Sequence, residues 1–129
     1  MSVFEEEITL NQYYQNNDRS NFLGGCFTFD WIIEGQNETT DSFRMIFESV
    51  DSGNVVIKKA ILIGKNGRQL PFKRVVNDAN RVIYRGTLPQ DQRAGSRVRY
   101  WRPRPKTGLF NTVIANTIKV TERWVVEQD

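Results

Sequence analysis

The chain has 129 residues, of which 39% are apolar and 26% are charged, with a formal net charge of +3. This length allows one hydrophobic core, so we predict a single domain over residues 1–129, and the apolar fraction excludes a disordered chain. Histidine is absent and Cys26 is the only cysteine. These two counts exclude histidine-dependent nucleophilic catalysis, an intrachain disulfide and nearly every kind of zinc site.

The charges are distributed unevenly along the chain. Residues 1–51 contain ten acids and two cations, a net charge of −8, whereas the remainder contains sixteen cations and five acids, a net charge of +11. One explanation is that strands from the two halves pair and neutralise each other. The other is a molecule with oppositely charged poles, which steer a charged partner or join copies head to tail. Pairing of the halves is the simpler expectation.

In chain order, the first predicted element is a strand in the segment VFEEEITL (residues 3–10), whose three consecutive acids favour the edge of a sheet. Residues 11–21 are compatible with either a short helix or a loop. Two strands follow in which apolar residues occupy every second position. The side chains predicted to face the core are Phe27, Phe29, Trp31 and Ile33 in the first strand and Phe43, Met45 and Phe47 in the second. Cys26, in apolar surroundings, is expected to be a buried structural residue.

The later strands are short and separated by turn signals. Asp51–Asn54 and the Asn66-Gly67 pair each predict a hairpin, and Asn77–Asn80 predicts a third turn, between the strands LPFKRVV and RVIYRGT. In the segment VVIKKAILI (55–63) the adjacent lysines Lys58 and Lys59 predict a bulge or an edge position. The spacing gives about eight strands. We therefore predict an all-β fold, an antiparallel β-sandwich of the jelly-roll or immunoglobulin-like kind, with a partly open β-barrel as the alternative.

The segment RVRYWRPRPK (97–106) has the pattern with most bearing on function. If Val98 and Tyr100 face the core, then Arg97, Arg99 and Trp101 face outward, as Arg81 and Arg85 do in the strand RVIYR. Pairing of these two strands would collect four arginines on one sheet face. The residues predicted to bind a partner are Arg81, Arg85, Arg97, Arg99, Trp101, Arg102, Arg104 and Lys106. The alternative is a solvated face on which Trp101 packs under a loop or against a cation.

These residues favour a non-catalytic module that acts through protein contacts, with self-association into a larger particle or filament as the leading hypothesis. Two alternatives remain open. Exposed aromatic residues, including Trp31 or Trp124 if either faces outward, would suit carbohydrate or lipid headgroups, and the arginines would suit nucleic acid. We predict no catalytic residue, metal site or cofactor, because no two carboxylates are fixed at a working separation. The acidic segment MSVFEEEI lacks the features of a signal peptide, so we expect a soluble protein of the cytoplasm or of a larger particle.

Overall fold

The computed structural model describes residues 2–9, 26–51, 53–103, 106–107, 113–114 and 116–126. Strands dominate these residues, and their helical turns are the two 3₁₀ turns Lys65–Gly67 and Gln90–Gln92. The strands are β1 (Ser2–Thr9), β2 (Cys26–Ile32), β3 (Ser42–Ser49), β4 (Lys59–Ile63), β5 (Gln69–Leu70), β6 (Phe72–Asn77), β7 (Arg81–Thr87), β8 (Arg97–Pro103), β9 (Lys106–Thr107), β10 (Val113–Ile114) and β11 (Thr117–Trp124). Residues 11–21, for which a helix or loop is predicted, lie outside the described residues. None of the helical turns in the described part of the chain has the length and apolar character to cross a membrane.

Two antiparallel sheets form the sandwich. The five-stranded sheet has the order β1-β11-β3-β7-β6 and the four-stranded sheet the order β2-β8-β4-β5, while β9 and β10 make a separate ribbon. The predicted all-β sandwich is confirmed, and the two sheets do not close into a barrel.

The pairing of the strands is nested. β1 pairs with β11, β2 with β8, β3 with β7 and β4 with β5. The strands are arranged as in one long hairpin whose tip is the β4–β5 turn. The hairpin is rolled up, so that its successive strand pairs lie alternately in one sheet and in the other. It is the jelly-roll kind of sandwich, with β6 added outside β7.

The core lies between the sheets and follows the predicted alternation. All seven side chains predicted to face inward from the early strands are buried, as are Val98 and Tyr100 in β8. Phe47 of the five-stranded sheet meets Tyr100 of the four-stranded sheet, with ring centroids 4.8 Å apart. Cys26 is a buried free cysteine, as predicted. Because large side chains from both sheets interdigitate, the outward faces and the strand edges are the surfaces left for contact with partners.

One of the two predicted hairpins is confirmed, and so is the third predicted turn. Asn66 and Gly67 both have positive φ, 64° and 77°, in the turn that joins β4 to β5, and residues 77–80 join β6 to β7. The hairpin predicted at Asp51–Asn54 is wrong, because β3 and β4 belong to different sheets. The Asp51 carboxylate does accept a hydrogen bond from the Gly53 N–H (2.8 Å), so the local turn chemistry is present. The chain nevertheless crosses between the sheets there and buries Val55 and Ile57 in the core.

Two further predictions concern the adjacent lysines before β4 and the position of the N-terminal strand in its sheet. Lys58 occupies a bend immediately before β4 begins, so the adjacent lysines do not have to share one regular strand. The predicted edge position of the acidic N-terminal strand is confirmed, since β1 is the first strand of its sheet.

Each strand of the acidic first half pairs with strands of the basic second half, as the simpler explanation of the charge distribution requires.

Candidate functional site

The predicted arginine face is divided between the two sheets. Arg97, Arg99 and Trp101 lie on the outer face of the four-stranded sheet, whereas Arg81 and Arg85 lie on the outer face of the five-stranded sheet. The facing predicted for each strand is correct, because Val82, Tyr84, Val98 and Tyr100 are buried. The two strands do not pair, however, so the four arginines are not collected on one surface.

On the four-stranded sheet, the arginines already have a carboxylate partner. Arg99 donates from Nε and Nη2 to the two oxygens of Asp30, at 2.8 and 3.2 Å, and this bonding raises the pKa of Arg99 above its ordinary value. Arg97 Nε lies 3.6 Å from the same carboxylate. The Trp101 ring lies under Lys59, whose Nζ is 5.4 Å from the ring centroid. On this face Arg97 and Arg99 thus share one carboxylate and a cation packs on Trp101, which is the packing of the tryptophan that the alternative prediction describes.

Arg102 requires a correction. Its side chain is 3% exposed, because it points into the sandwich from β8 between its outward neighbours. The guanidinium donates to the Asn116 side-chain oxygen at 2.6 Å and to the Asn116 carbonyl at 3.0 Å. Burial lowers its pKa to about 10. The expectation that Arg102 belongs to an exposed binding face is therefore wrong. Of the other predicted binding residues, Arg104 lies outside the described residues, and Lys106 is described only by its backbone in β9.

A buried carboxylate organises one end of the sandwich. Glu122 is fully buried, and its two oxygens accept hydrogen bonds from the indole N–H groups of Trp31 (2.5 Å) and Trp124 (2.6 Å) and from the backbone N–H groups of Glu34 and Gly35. Alternation along β11 places Glu122 on the inward face with Val120 and Trp124, which is the sequence signal that would have identified it. Because Trp31 and Trp124 are both buried, neither is exposed to stack on a sugar ring or to enter a membrane interface.

Arg93 fixes the neighbouring loops. Its side chain is 1% exposed and lies over the Trp124 ring at 4.6 Å. It donates to the carbonyls of Leu88, Glu38 and Thr40 at 3.0, 2.7 and 2.8 Å. A buried arginine surrounded by carbonyl acceptors holds the segment before β3 against the segment before β8. This contact is structural, and the sequence pattern of an isolated loop arginine did not reveal it.

The five-stranded sheet has edges of opposite charge. At one end, β1 carries the consecutive acids Glu5, Glu6 and Glu7, which we call the acidic edge; all three are exposed. At the other end, β6 carries the exposed residues Lys73 and Arg74, which we call the basic edge. Within the described part of the chain, β1 pairs only with β11 and β6 only with β7. Each edge is thus a charged strand that pairs with a single neighbour among the described strands.

A cleft of about 250 Å³ adjoins the acidic edge and adds to its negative charge. Its lining includes the acids Glu6 and Glu34, together with Asp30, whose charge is offset by Arg99, and Ile8 and Trp31 form its apolar wall. The pKa of Glu34 is raised above 4.5 by burial and by the nearby charges of Glu122 and Glu6. Negative charge is therefore concentrated where the edges of the two sheets face each other, on the side of the sandwich formed by β1 and β2.

The outer face of the five-stranded sheet carries two rows of charge that run across the strands. In the first, called the basic row, Arg123, Arg44, Arg85 and Lys73 lie opposite one another on four adjacent strands. In the second, called the alternating row, the order is Glu7, Lys119, Glu48 and Arg81. A row between them contains Thr121, Ile46 and Ile83. Arg81 and Arg85, predicted as partners on one face, therefore belong to different rows.

Comparisons with known proteins found no matching family model, no similar curated protein and no similar solved structure. Within the described residues, no three histidine, cysteine, aspartate or glutamate side chains are grouped so that they could hold a metal ion. The charged edges and rows of the five-stranded sheet are the features on which a functional hypothesis has to rest.

Proposed function

We propose that this chain is a non-catalytic assembly module whose five-stranded sheet joins, edge to edge, the sheet of another copy. The observation that carries this function is the opposite charge of the two edge strands of one sheet. An exposed edge strand presents unpaired backbone donors and acceptors that can pair with another chain. Opposite charges make the acidic edge of one copy a suitable neighbour for the basic edge of the next.

The charges match on both faces of such a joined sheet. Glu5 and Glu7 project outward, opposite Thr121 and Lys119 of β11, while Glu6 projects toward the gap between the sheets. Lys73 likewise projects outward, and Arg74 projects toward the interior, where its guanidinium donates to the Tyr84 hydroxyl. Since side chains alternate along both strands, an outward lysine meets outward acids and an inward arginine meets an inward acid.

Charged edges also protect monomeric β-proteins against aggregation, and the signs of the charges separate the two roles. Each edge repels a copy of itself, which excludes pairing of β1 with β1 or of β6 with β6. Pairing of β1 with β6 is the combination that attraction favours. Such a contact uses different surfaces on the two partners, so repetition produces a ring or an open filament.

The basic edge limits how strong this contact can be. A register shift between Arg74 and Val76 interrupts the pairing of β6 with β7, and Val75 is 45% exposed at that point. The regular part of the edge is therefore Phe72–Arg74, which is about as long as the acidic segment opposite. Glu5 is also within 3.3 Å of Lys119 in its own chain. We therefore expect a weak, reversible contact that depends strongly on salt.

Sedimentation velocity across a range of protein concentrations tests this function. The expected result is concentration-dependent assembly at about 0.01 M salt, where the Debye length is about 30 Å, and dissociation at about 1 M salt, where it is about 3 Å. Replacing attraction by repulsion in one exposed pair changes the contact by about 1 kcal/mol, or about fivefold in affinity. Glu7→Lys and Lys73→Glu should each weaken assembly by that factor.

Two exposed residues in the 3₁₀ turns provide matched controls. Asp91→Lys and Lys65→Glu make the same changes in net charge at sites away from both edges. Both controls should assemble like the unmodified chain. A chain that stays monomeric at every concentration and salt, or controls that weaken assembly as much as the edge variants do, would contradict the proposed function.

A further inference from the structure

The basic row contrasts with the alternating row on the same sheet face. Along the alternating row, each charge lies opposite a charge of the other sign on the next strand: Glu7 opposite Lys119, Lys119 opposite Glu48, and Glu48 opposite Arg81. Along the basic row, each cation lies opposite another cation. Like charges directly opposite each other destabilise a sheet, whereas opposite charges stabilise it. The register of the sheet thus sets four cations side by side in one row and alternates the sign of the charge in the other.

The spacing of the strands sets the charge density of the basic row. Adjacent strands lie about 4.8 Å apart, so four cations on four strands fall within about 14 Å. Lys73 and Arg85 are exposed, and Arg44 and Arg123 are partly exposed. The Nε of Arg123 is buried and has no hydrogen-bond partner among the described residues. The two rows together contain six cations and two acids, and Glu5 adds a third acid from the row between them. The described part of this face is therefore net positive.

We propose that the basic row binds the phosphate backbone of nucleic acid. Three of its four cations are arginines, whose planar forks match phosphate oxygens in a bidentate manner. The row is a line of charge, and a polymer with a phosphate at every repeat presents a line of opposite charge. Binding by the row does not require the edges to associate, because its central arginines, Arg44 and Arg85, lie on interior strands of the sheet.

The surroundings of the row favour a nucleic-acid backbone over an acidic protein. Tight protein contacts usually have a central pocket filled by an aromatic or other large anchor residue. The described outward residues of the five-stranded sheet include no aromatic side chain in register with the row. Because no aromatic side chain among the described residues of this face is placed to stack on bases, binding should be independent of sequence and governed by charge.

Fluorescence anisotropy with labelled single-stranded and duplex DNA tests the assignment, at protein concentrations at which sedimentation shows a monomer. For duplex DNA, the logarithm of the association constant should fall with the logarithm of salt with a slope of about −3 to −4, because about four phosphates are neutralised. Arg85→Gln should reduce the magnitude of this slope by about one. Arg68→Gln, the same change at an exposed cation of the β4–β5 hairpin, should leave binding unchanged.

The result that would overturn the assignment is equally specific. If Arg68→Gln weakens DNA binding as much as Arg85→Gln, the row has no special role and the interaction depends only on net charge. If polyglutamate at the same concentration of charge displaces DNA completely, the surface accepts carboxylates as readily as phosphates and the nucleic-acid assignment fails. Because the measurements use monomer, either failure leaves the edge-to-edge assembly unaffected.

Discussion

The substitution Glu122→Gln tests whether the buried carboxylate organises the end of the sandwich. One Glu122 oxygen accepts from Trp124 Nε1 and the Gly35 N–H, and the other accepts from Trp31 Nε1 and the Glu34 N–H. A glutamine has nearly the same shape but one acceptor oxygen. Its amide nitrogen would face two N–H donors, and those two donors would lose their partner.

The expected destabilisation follows from these lost hydrogen bonds. A hydrogen bond to a charged group contributes about 1.5 to 3 kcal/mol, so losing two gives about 3 to 6 kcal/mol. The lower end is expected, because the neutral amide also avoids the free-energy cost of burying a charge. A loss of about 3 kcal/mol is a large part of the roughly 5 to 15 kcal/mol that stabilises a domain of ordinary size.

Urea unfolding followed by tryptophan fluorescence measures this change, since Trp31 and Trp124 both donate to the carboxylate. The matched control is Glu7→Gln at the exposed acidic edge, which should change the free energy of unfolding by less than about 0.5 kcal/mol. The reasoning is refuted if Glu122→Gln costs less than about 1 kcal/mol, the contribution of a single neutral hydrogen bond.

Three further predictions concern the turn, the buried arginine and the cleft. Gly67→Ala should destabilise the fold by about 1 kcal/mol in thermal unfolding, because a residue with a Cβ rarely adopts the φ of 77° found at Gly67. An added Cβ would meet no atom within 4 Å, so the cost comes from the backbone conformation and not from a clash. An unchanged stability would show that a side chain does not strain this turn. Arg102→Gln should lower the free energy of unfolding by about 1 to 3 kcal/mol, because buried acceptors lose their donor, and should leave DNA binding unchanged. A variant that is fully stable but binds DNA more weakly would show that Arg102 belongs to the binding surface. The raised pKa of Glu34 means that the folded state favours its protonated form, so its ionisation opposes folding above 4.5. Glu34→Gln should therefore be more stable than the unmodified chain near pH 7 and no more stable near pH 3, where both states are protonated, and an equal difference at both would contradict this cause.

Local patterns were sufficient to predict the sandwich and most of its inward faces. Period-two alternation identified the buried residues of β2, β3 and β8, because one face of each strand packs against the other sheet. The Asn66-Gly67 turn was predictable because few other residue pairs adopt two consecutive positive φ angles. The acidic edge was predictable because three adjacent acids cannot all be accommodated between two paired strands.

The failures came where function depends on which strands are neighbours. The turn residues at Asp51–Asn54 are compatible with a hairpin, but their chemistry does not specify whether the next strand stays in the same sheet. For the same reason, RVIYR and RVRYW have the predicted facing but lie on opposite sheets. The basic row consists of residues from four strands, of which only β6 and β7 are consecutive in the chain, so the register of the folded sheet is needed to bring them together.

Mixing two charge-reversed variants tests the proposed assembly most directly. Glu7→Lys sets a cation against Lys73 of the next copy, and Lys73→Glu sets an acid against Glu7 of the next copy, so each variant alone should assemble about fivefold more weakly than the unmodified chain. An equimolar mixture should assemble like the unmodified chain, because the cation introduced at position 7 of one variant meets the acid introduced at position 73 of the other, and the unaltered edges of the two variants also match. Sedimentation velocity at low salt, at a protein concentration near the dissociation constant of the unmodified chain, should therefore show more of the large species in the mixture than in either variant alone. If the mixture sediments as the sum of its two components, the edges do not recognise each other and the account is wrong.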